Sequence, residues 1–124
     1  MPTKVVDASA LGALVFDEPN AKRMAQELSD ASLIAPSLLW YELASIGLKK
    51  IRNNPGQSVQ LLAALGFAGR LSIELVTVNH IETVTLAQRT NLTIYDASYL
   101  WLAQKIGARL VTLDKQLLKV AKNG

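Results

Sequence analysis

At 124 residues, half of them apolar and 19% charged, the chain reads as one globular unit over residues 1–124, with no disordered tail, low-complexity tract or internal repeat. Cysteine is absent, which excludes disulfides, thiolate metal sites and cysteine nucleophiles and is compatible with a cytoplasmic protein. The net charge of +3 sets 13 basic against 10 acidic side chains, and no apolar run is long enough without a charge to read as a membrane span or signal peptide.

Along the chain, short β-type runs alternate with longer helical patterns. Thr3–Val6 predicts a buried strand and Ala8–Val15 a short helix, ended by the turn Phe16-Asp17-Glu18-Pro19. Pro19 suits the first turn of a helix reaching about Ser29. Ser32–Ala35 reads as a second strand. Pro36 and Ser37 open an apolar helix to about Arg52, where Asn53-Asn54-Pro55-Gly56 breaks it. Gln57 to about Leu65 continues as helix, and Gly66–Gly69 reads as a turn. Ile73–Val76 predicts a third strand, Ile81–Arg89 and Tyr95–Ile106 two helices, Leu110–Thr112 a fourth strand and Lys115–Lys122 a last helix. This alternation is that of βαβ units, so the expected fold class is α/β with a parallel sheet covered on both faces.

Four carboxylates stand inside apolar sequence: Asp7 after KVV, Glu42 in LLWYELASIG, Asp96 in LTIYDASYLW and Asp114 after RLVTL. The other six acids fall near turns or on helix faces that water reaches. A buried carboxylate without a partner costs several kcal/mol, of the order of a small domain's stability margin. Asp7 and Asp114 fall at the ends of strands one and four, Asp96 starts a helix and Glu42 lies early in another, so all four can reach one sheet edge. Gathered there they call for cations, and hydrolysis of a phosphodiester is a chemistry that divalent metals serve.

Each acid has a structural alternative. Asp7, Asp96 and Asp114 all stand where an Asp caps a helix, an effect of about 0.5–2 kcal/mol. Glu42 has Leu38, Leu39, Ser45 and Ile46 as helical neighbours, so it is expected on the core-facing stripe, where the alternative is a buried salt bridge. Ser9 and Thr112, two residues from Asp7 and Asp114, are placed to hold those carboxylates by hydrogen bonds, and Ser9 equally well caps the next helix. Trp40 and Trp101 read as core; among Tyr41, Tyr95 and Tyr99 an exposed ring would be available for base stacking. His80, the one histidine, reads as a helix-start residue.

Removing four pocketed acids from the ten leaves six against 13 basic side chains, an excess that favours a polyanion. Lys49, Lys50, Arg52, Arg70, Lys105, Arg109, Lys115, Lys119 and Lys122 are the candidate contacts, each of which taken singly is an ordinary solvated residue.

The segments VVDASAL, WYELAS after Pro36, YDASYLWLA and LVTLD, in this order and over nearly the whole chain, resemble the PIN-domain ribonucleases, and within them the short toxin subunits of VapBC-type toxin–antitoxin pairs. The resemblance implies a three-layer α/β/α fold with a parallel sheet of four to five strands. It further implies Asp7, Glu42, Asp96 and Asp114 as an acidic quartet for Mg²⁺ or Mn²⁺, endonucleolytic cleavage of RNA, and an antitoxin of VapB type that meets the helices from Ser37 to Leu65. The family commonly ends in a further short strand, whereas this sequence ends in Ala121-Lys122-Asn123-Gly124; the sheet edge beside strand four, with the apolar load of those helices, leads us to expect a homodimer or higher oligomer. Two other classes compete. A phosphoryl-transfer site of the haloacid-dehalogenase kind wants a second Asp two residues after the first, where this chain has Ser9, and a catalytically silent RNA- or protein-binding module has no reason to keep four buried acids.

Overall fold

The computed structural model describes residues 1–123. Its strands are β1 (Thr3–Val6), β2 (Ser32–Pro36), β3 (Ile73–Val76) and β4 (Arg109–Val111), joined into one sheet of order β3-β2-β1-β4. All three pairings are parallel, with Val5 opposite Ile34 on one side and Leu110 on the other. Val5 and Val6 are wholly buried although they point to opposite faces of the sheet, which requires cover on both sides.

Helices α1 (Ala8–Val15), α2 (Ala21–Leu28), α3 (Leu39–Asn53) and α4 (Ser58–Ala68) pack as one group, with a 3₁₀ turn over Pro55–Gln57 between the last two. Helix α6 (Ile94–Ile106) lies on β1, β2 and β4, flanked by α5 (His80–Thr90) and α7 (Lys115–Asn123). The three-layer α/β/α expectation and the four-strand count hold for the described residues. Leu11, Met24, Leu39, Leu43, Tyr99, Leu100 and Leu117 are fully buried in the core between the layers. Gly47 lets α3 and α4 close together, since a Cβ there would stand 2.7 Å from Leu65 Cδ1.

Several element ends move from their predicted places. Pro36 is the last residue of β2, opposite Val76, and the Ser37 N–H still donates to Val76 O at 2.9 Å, so the ladder delays α3 to Leu39. Pro19 stays in the turn before α2: Asp17 takes a left-handed conformation and Glu18 N–H bonds back to Ala13 O at 2.9 Å, which uses up the proline in the reversal. The turn predicted over Gly66–Gly69 begins only at Gly69. The helix continues to Ala68, whose complete burial offsets the cost of about 1 kcal/mol for a helical glycine at exposed Gly66. Strand β4 runs one residue earlier than predicted, and Thr112 lies just beyond it. Gly124, the end of the predicted C-terminal tail, lies outside the described residues.

The chain runs from β1 outward through β2 to β3 and then returns to the far side of β1 to form β4. The carboxyl ends of β1 and β4 therefore face a topological switch point, the place where connections diverge and a crevice opens.

Candidate active site

The residues that leave β1 and β4 build the floor of this crevice. Asp7 follows Val6 directly and is 4% exposed; its extended backbone makes it the N-cap of α1, with Oδ1 accepting from Ala10 N at 3.0 Å. Ser9 Oγ donates to the same oxygen at 2.7 Å, and Thr112 Oγ1 donates to Oδ2 at 2.5 Å. Two hydroxyls and one amide thus fix both carboxylate oxygens. Thr112 Oγ1 in turn accepts from Asp114 N at 3.0 Å, and Leu113 N donates to Ser9 Oγ at 2.9 Å, so the two strand ends are tied by side chains. Asp114 caps α7 through Leu117 N at 2.8 Å, which leaves its other oxygen uncommitted among the described bonds.

Helices α3 and α6 supply the walls. Thr93 caps α6 by accepting from Asp96 N at 3.1 Å, so Asp96 sits in the first turn with no capping duty of its own, contrary to the capping alternative. Glu42 lies in the first turn of α3 and is half-buried. The core line of that helix is Leu39, Leu43 and Gly47, so Glu42 stands at the edge of the apolar stripe instead of on it, and turns toward Asp7 and Asp96. Its Oε1 accepts a hydrogen bond from Tyr99 Oη at 2.7 Å. Tyr99 is three residues beyond Asp96 on α6, with its ring wholly in the core and its hydroxyl in the site.

All four predicted acids, together with Ser9 and Tyr99, line one cavity of about 270 Å³. Thr112 lies behind Asp7. Burial pushes the Asp7 carboxyl up from its ordinary value, against the hydrogen bonds from Thr112, Ala10 and Ser9, and the charge of Asp114 pushes it further. Glu42 is raised by burial, opposed by the Tyr99 bond and assisted by the charges of Asp96 and Asp7; Asp96 is raised by burial and by Asp114 and Asp7. The Tyr99 hydroxyl is driven upward by burial and by its bond to Glu42, so it serves as a donor.

No cation answers this repulsion among the described residues. The ion pairs there join Lys4 to Asp30, Lys50 to Glu18 and Arg109 to Glu27, none of which touches the four acids, so the salt-bridge alternative for Glu42 fails. Nor does any trio of the described acids converge tightly enough to hold an ion unaided. An all-oxygen donor set of this kind suits a hard divalent cation only if water or substrate oxygens complete its coordination. A larger groove, about 530 Å³, follows the outer edge of β4 past Arg23, Glu27, Arg109 and Lys122, but none of the four embedded acids lines it. His80, exposed at the start of α5, takes no part.

Sequence reasoning placed Tyr99 among core or stacking aromatics and missed its bond to Glu42. The available signal was its spacing: i+3 from Asp96 puts phenol and carboxylate on one helix face. Thr112 was expected beside Asp114, whereas its donated bond goes to Asp7.

The family model of the PIN domain matches residues 4–123. The chain belongs to the PIN domain family. Ribonuclease VapC3 of Pyrobaculum aerophilum is 34% identical over 118 residues, covering 91% of this chain and 90% of the relative, and Ribonuclease VapC9 of Mycobacterium tuberculosis is 33% identical, covering 91% and 87%. Among solved structures, PAE2754 from Pyrobaculum aerophilum superposes with a TM-score of 0.77 at 28% identity, over 95% of this chain and 84% of that one. VapC20 of Mycobacterium tuberculosis, described as a toxin cleaving the sarcin-ricin loop, shares the fold with a TM-score of 0.69 at 11% identity, over 94% of each chain. No described helix of this PIN domain is long and apolar enough to cross a membrane.

Proposed function

We propose that this PIN domain is a metal-dependent endoribonuclease and the toxin of a toxin–antitoxin pair. The observation that carries the reading is the convergence of Asp7, Glu42, Asp96 and Asp114 on one cavity without a described basic partner, in a chain whose relatives are named ribonucleases. Asp7 and Asp96 would hold Mg²⁺ or Mn²⁺ directly, Asp114 through a water, and Glu42 as a ligand or through the attacking water. When bound, the cation supplies charge that neutralises phosphoryl oxygens and eases deprotonation of water.

The residues of the chain supply the rest. Thr112, Ser9 and Ala10 N–H keep Asp7 in one orientation, so the ligand geometry is set before substrate arrives. Glu42, with Oε1 held by Tyr99, has Oε2 free of any described hydrogen bond and is placed to accept the proton that the water loses. Water oxygen bonds to phosphorus as the bond from phosphorus to the 3′ oxygen breaks, and the departing oxygen takes a proton from solvent water. Burial and mutual repulsion raise the carboxyl groups of Asp7, Glu42 and Asp96 toward neutrality without a cation, which couples ionisation of the site to metal binding.

Exposed Leu48, Val59, Leu62 and Phe67 on α3 and α4 form an apolar surface that suits an antitoxin or a second copy of the chain, and we extend the proposal to both partners and to a cytoplasmic setting. The antitoxin would insert a basic side chain among the acids; inhibition that survives removal of every Lys and Arg from its tail would refute this. The deciding experiment for the function is calorimetric Mn²⁺ titration of the wild type and Asp7→Asn, followed by a cleavage assay on single-stranded RNA. Mn²⁺ binding and RNA cleavage by the wild type, both lost in a folded Asp7→Asn, are expected. A wild type that binds no Mn²⁺ at millimolar concentration, with or without RNA, would leave a silent binding module.

A further inference from the structure

A second groove adjoins the acidic cavity. It is about 270 Å³, is lined by Leu38, Tyr41, Glu42, Ser45 and Tyr95, and shares Glu42 and Ser45 with the acidic site as a common wall. Two tyrosine rings face it, and both are unusually open to solvent: Tyr41 is 82% exposed and Tyr95 57%. Each immediately precedes a site carboxylate in sequence, Tyr41 before Glu42 in α3 and Tyr95 before Asp96 in α6. Successive helix residues point about 100° apart. The same step that turns the acids into one cavity therefore turns the two rings into the neighbouring one.

Nothing in the folding of this chain requires these rings. Tyr99, on the same helix as Tyr95, shows what a structural tyrosine looks like here: a buried ring with a bonded hydroxyl. Tyr41 and Tyr95 have neither burial nor any side-chain hydrogen bond among those of the described residues. On α3 the next exposed large apolar residue is Leu48, two turns or about 10 Å along the same helix face from Tyr41.

We propose that the Tyr41–Tyr95 groove is a nucleobase-stacking subsite, which takes an unpaired base flanking the scissile phosphate while the acidic cavity holds that phosphate. This rests on the nuclease reading and adds to it the group that positions the strand. Stacking uses the π face that every base has, so the subsite selects for an unpaired base over a paired one more than for one base over another. Ser45, on the shared wall, is placed to contact the linking ribose or phosphate.

The test compares binding of a fluorescent oligo(A) strand of about ten nucleotides with that of an abasic ribose-phosphate strand of the same length, by anisotropy, with Ca²⁺ replacing Mn²⁺ and strand integrity checked on a gel. The wild type is expected to prefer oligo(A). Tyr41→Ala and Tyr95→Ala should each weaken oligo(A) binding by about 5- to 150-fold, the range for losing one stacked base, and leave the abasic strand unchanged. Tyr41→Phe and Tyr95→Phe, which keep the ring, should bind like the wild type, and unchanged abasic-strand binding by the alanine variants themselves shows that their deficit is not misfolding. Equal binding of the two strands by a wild type that cleaves RNA, or alanine variants that bind oligo(A) as the wild type does, would overturn the subsite and leave the nuclease reading standing. A wild type that neither binds nor cleaves RNA would overturn both.

Discussion

Thr112→Val tests whether the tie between the strand ends organises the site. Valine keeps the shape and β-branching of threonine but removes the donor to Asp7 Oδ2 and the acceptor for Asp114 N–H at 3.0 Å. Thr112 is 6% exposed and Asp7 4%, so water does not readily replace either bond. A hydrogen bond to a charged buried group is worth about 1.5–3 kcal/mol, and an amide left without its acceptor adds about 1 kcal/mol, giving an expected loss of about 2.5–4 kcal/mol. At about 3–6 °C per kcal/mol for a domain of this size, melting should fall by roughly 8–24 °C. Thr112→Ser should recover most of it. The penalty should also shrink in acid, where Asp7 takes up a proton and the bond loses its charge assistance. Calorimetric Mn²⁺ affinity should fall by about 10- to 100-fold, the usual cost of losing a residue that orients a ligand. A Thr112→Val protein that melts within about 0.5 kcal/mol of the wild type and binds Mn²⁺ equally well would refute the reasoning.

Three further predictions concern other parts of the molecule. Asp7, Glu42 and Asp96 are all raised above their ordinary values of 3.8, 4.5 and 3.8, so the folded metal-free protein binds protons more tightly than the unfolded chain, and these groups make stability fall as pH rises from the unfolded values through the folded ones. Melting of chelator-treated protein between about pH 4 and 8 should show that fall, reduced in Asp7→Asn; a wild-type contribution of opposite sign would contradict it. Tyr99→Phe keeps the core ring and removes the 2.7 Å bond that lowers the Glu42 pKa, so the acidic limb of the pH–rate profile should move to higher pH; an unmoved limb would show that Glu42 does not titrate in the reaction. Gly107→Ala should cost about 1–2 kcal/mol in chemical denaturation, because this residue ends α6 with φ at +67° and no contact waits for the added methyl.

The sequence by itself determined a good deal: the α/β class, all four strands to within a residue, and the four acids that share one cavity. Strand runs such as Thr3–Val6 and the helices after them have local causes, namely β-branching, turn residues and caps, and a carboxylate in an apolar run is legible wherever it occurs. Even Ser9 and Thr112 could be singled out, from their two-residue offset to an acid. What local sequence left open was which groups meet. That Thr112 serves Asp7 across 105 positions, and that Tyr99 reaches Glu42 across 57, follows from the order β3-β2-β1-β4, which sets β4 beside β1 and lays α6 across both. The shift of α3 to Leu39 has the same origin, since the bond from Ser37 to Val76 is a pairing between strands and not a property of the PS dipeptide. Tertiary structure also separated the three tyrosines of the site region, which look alike in sequence: helix phase and packing bury Tyr99 and turn Tyr41 and Tyr95 into the open groove.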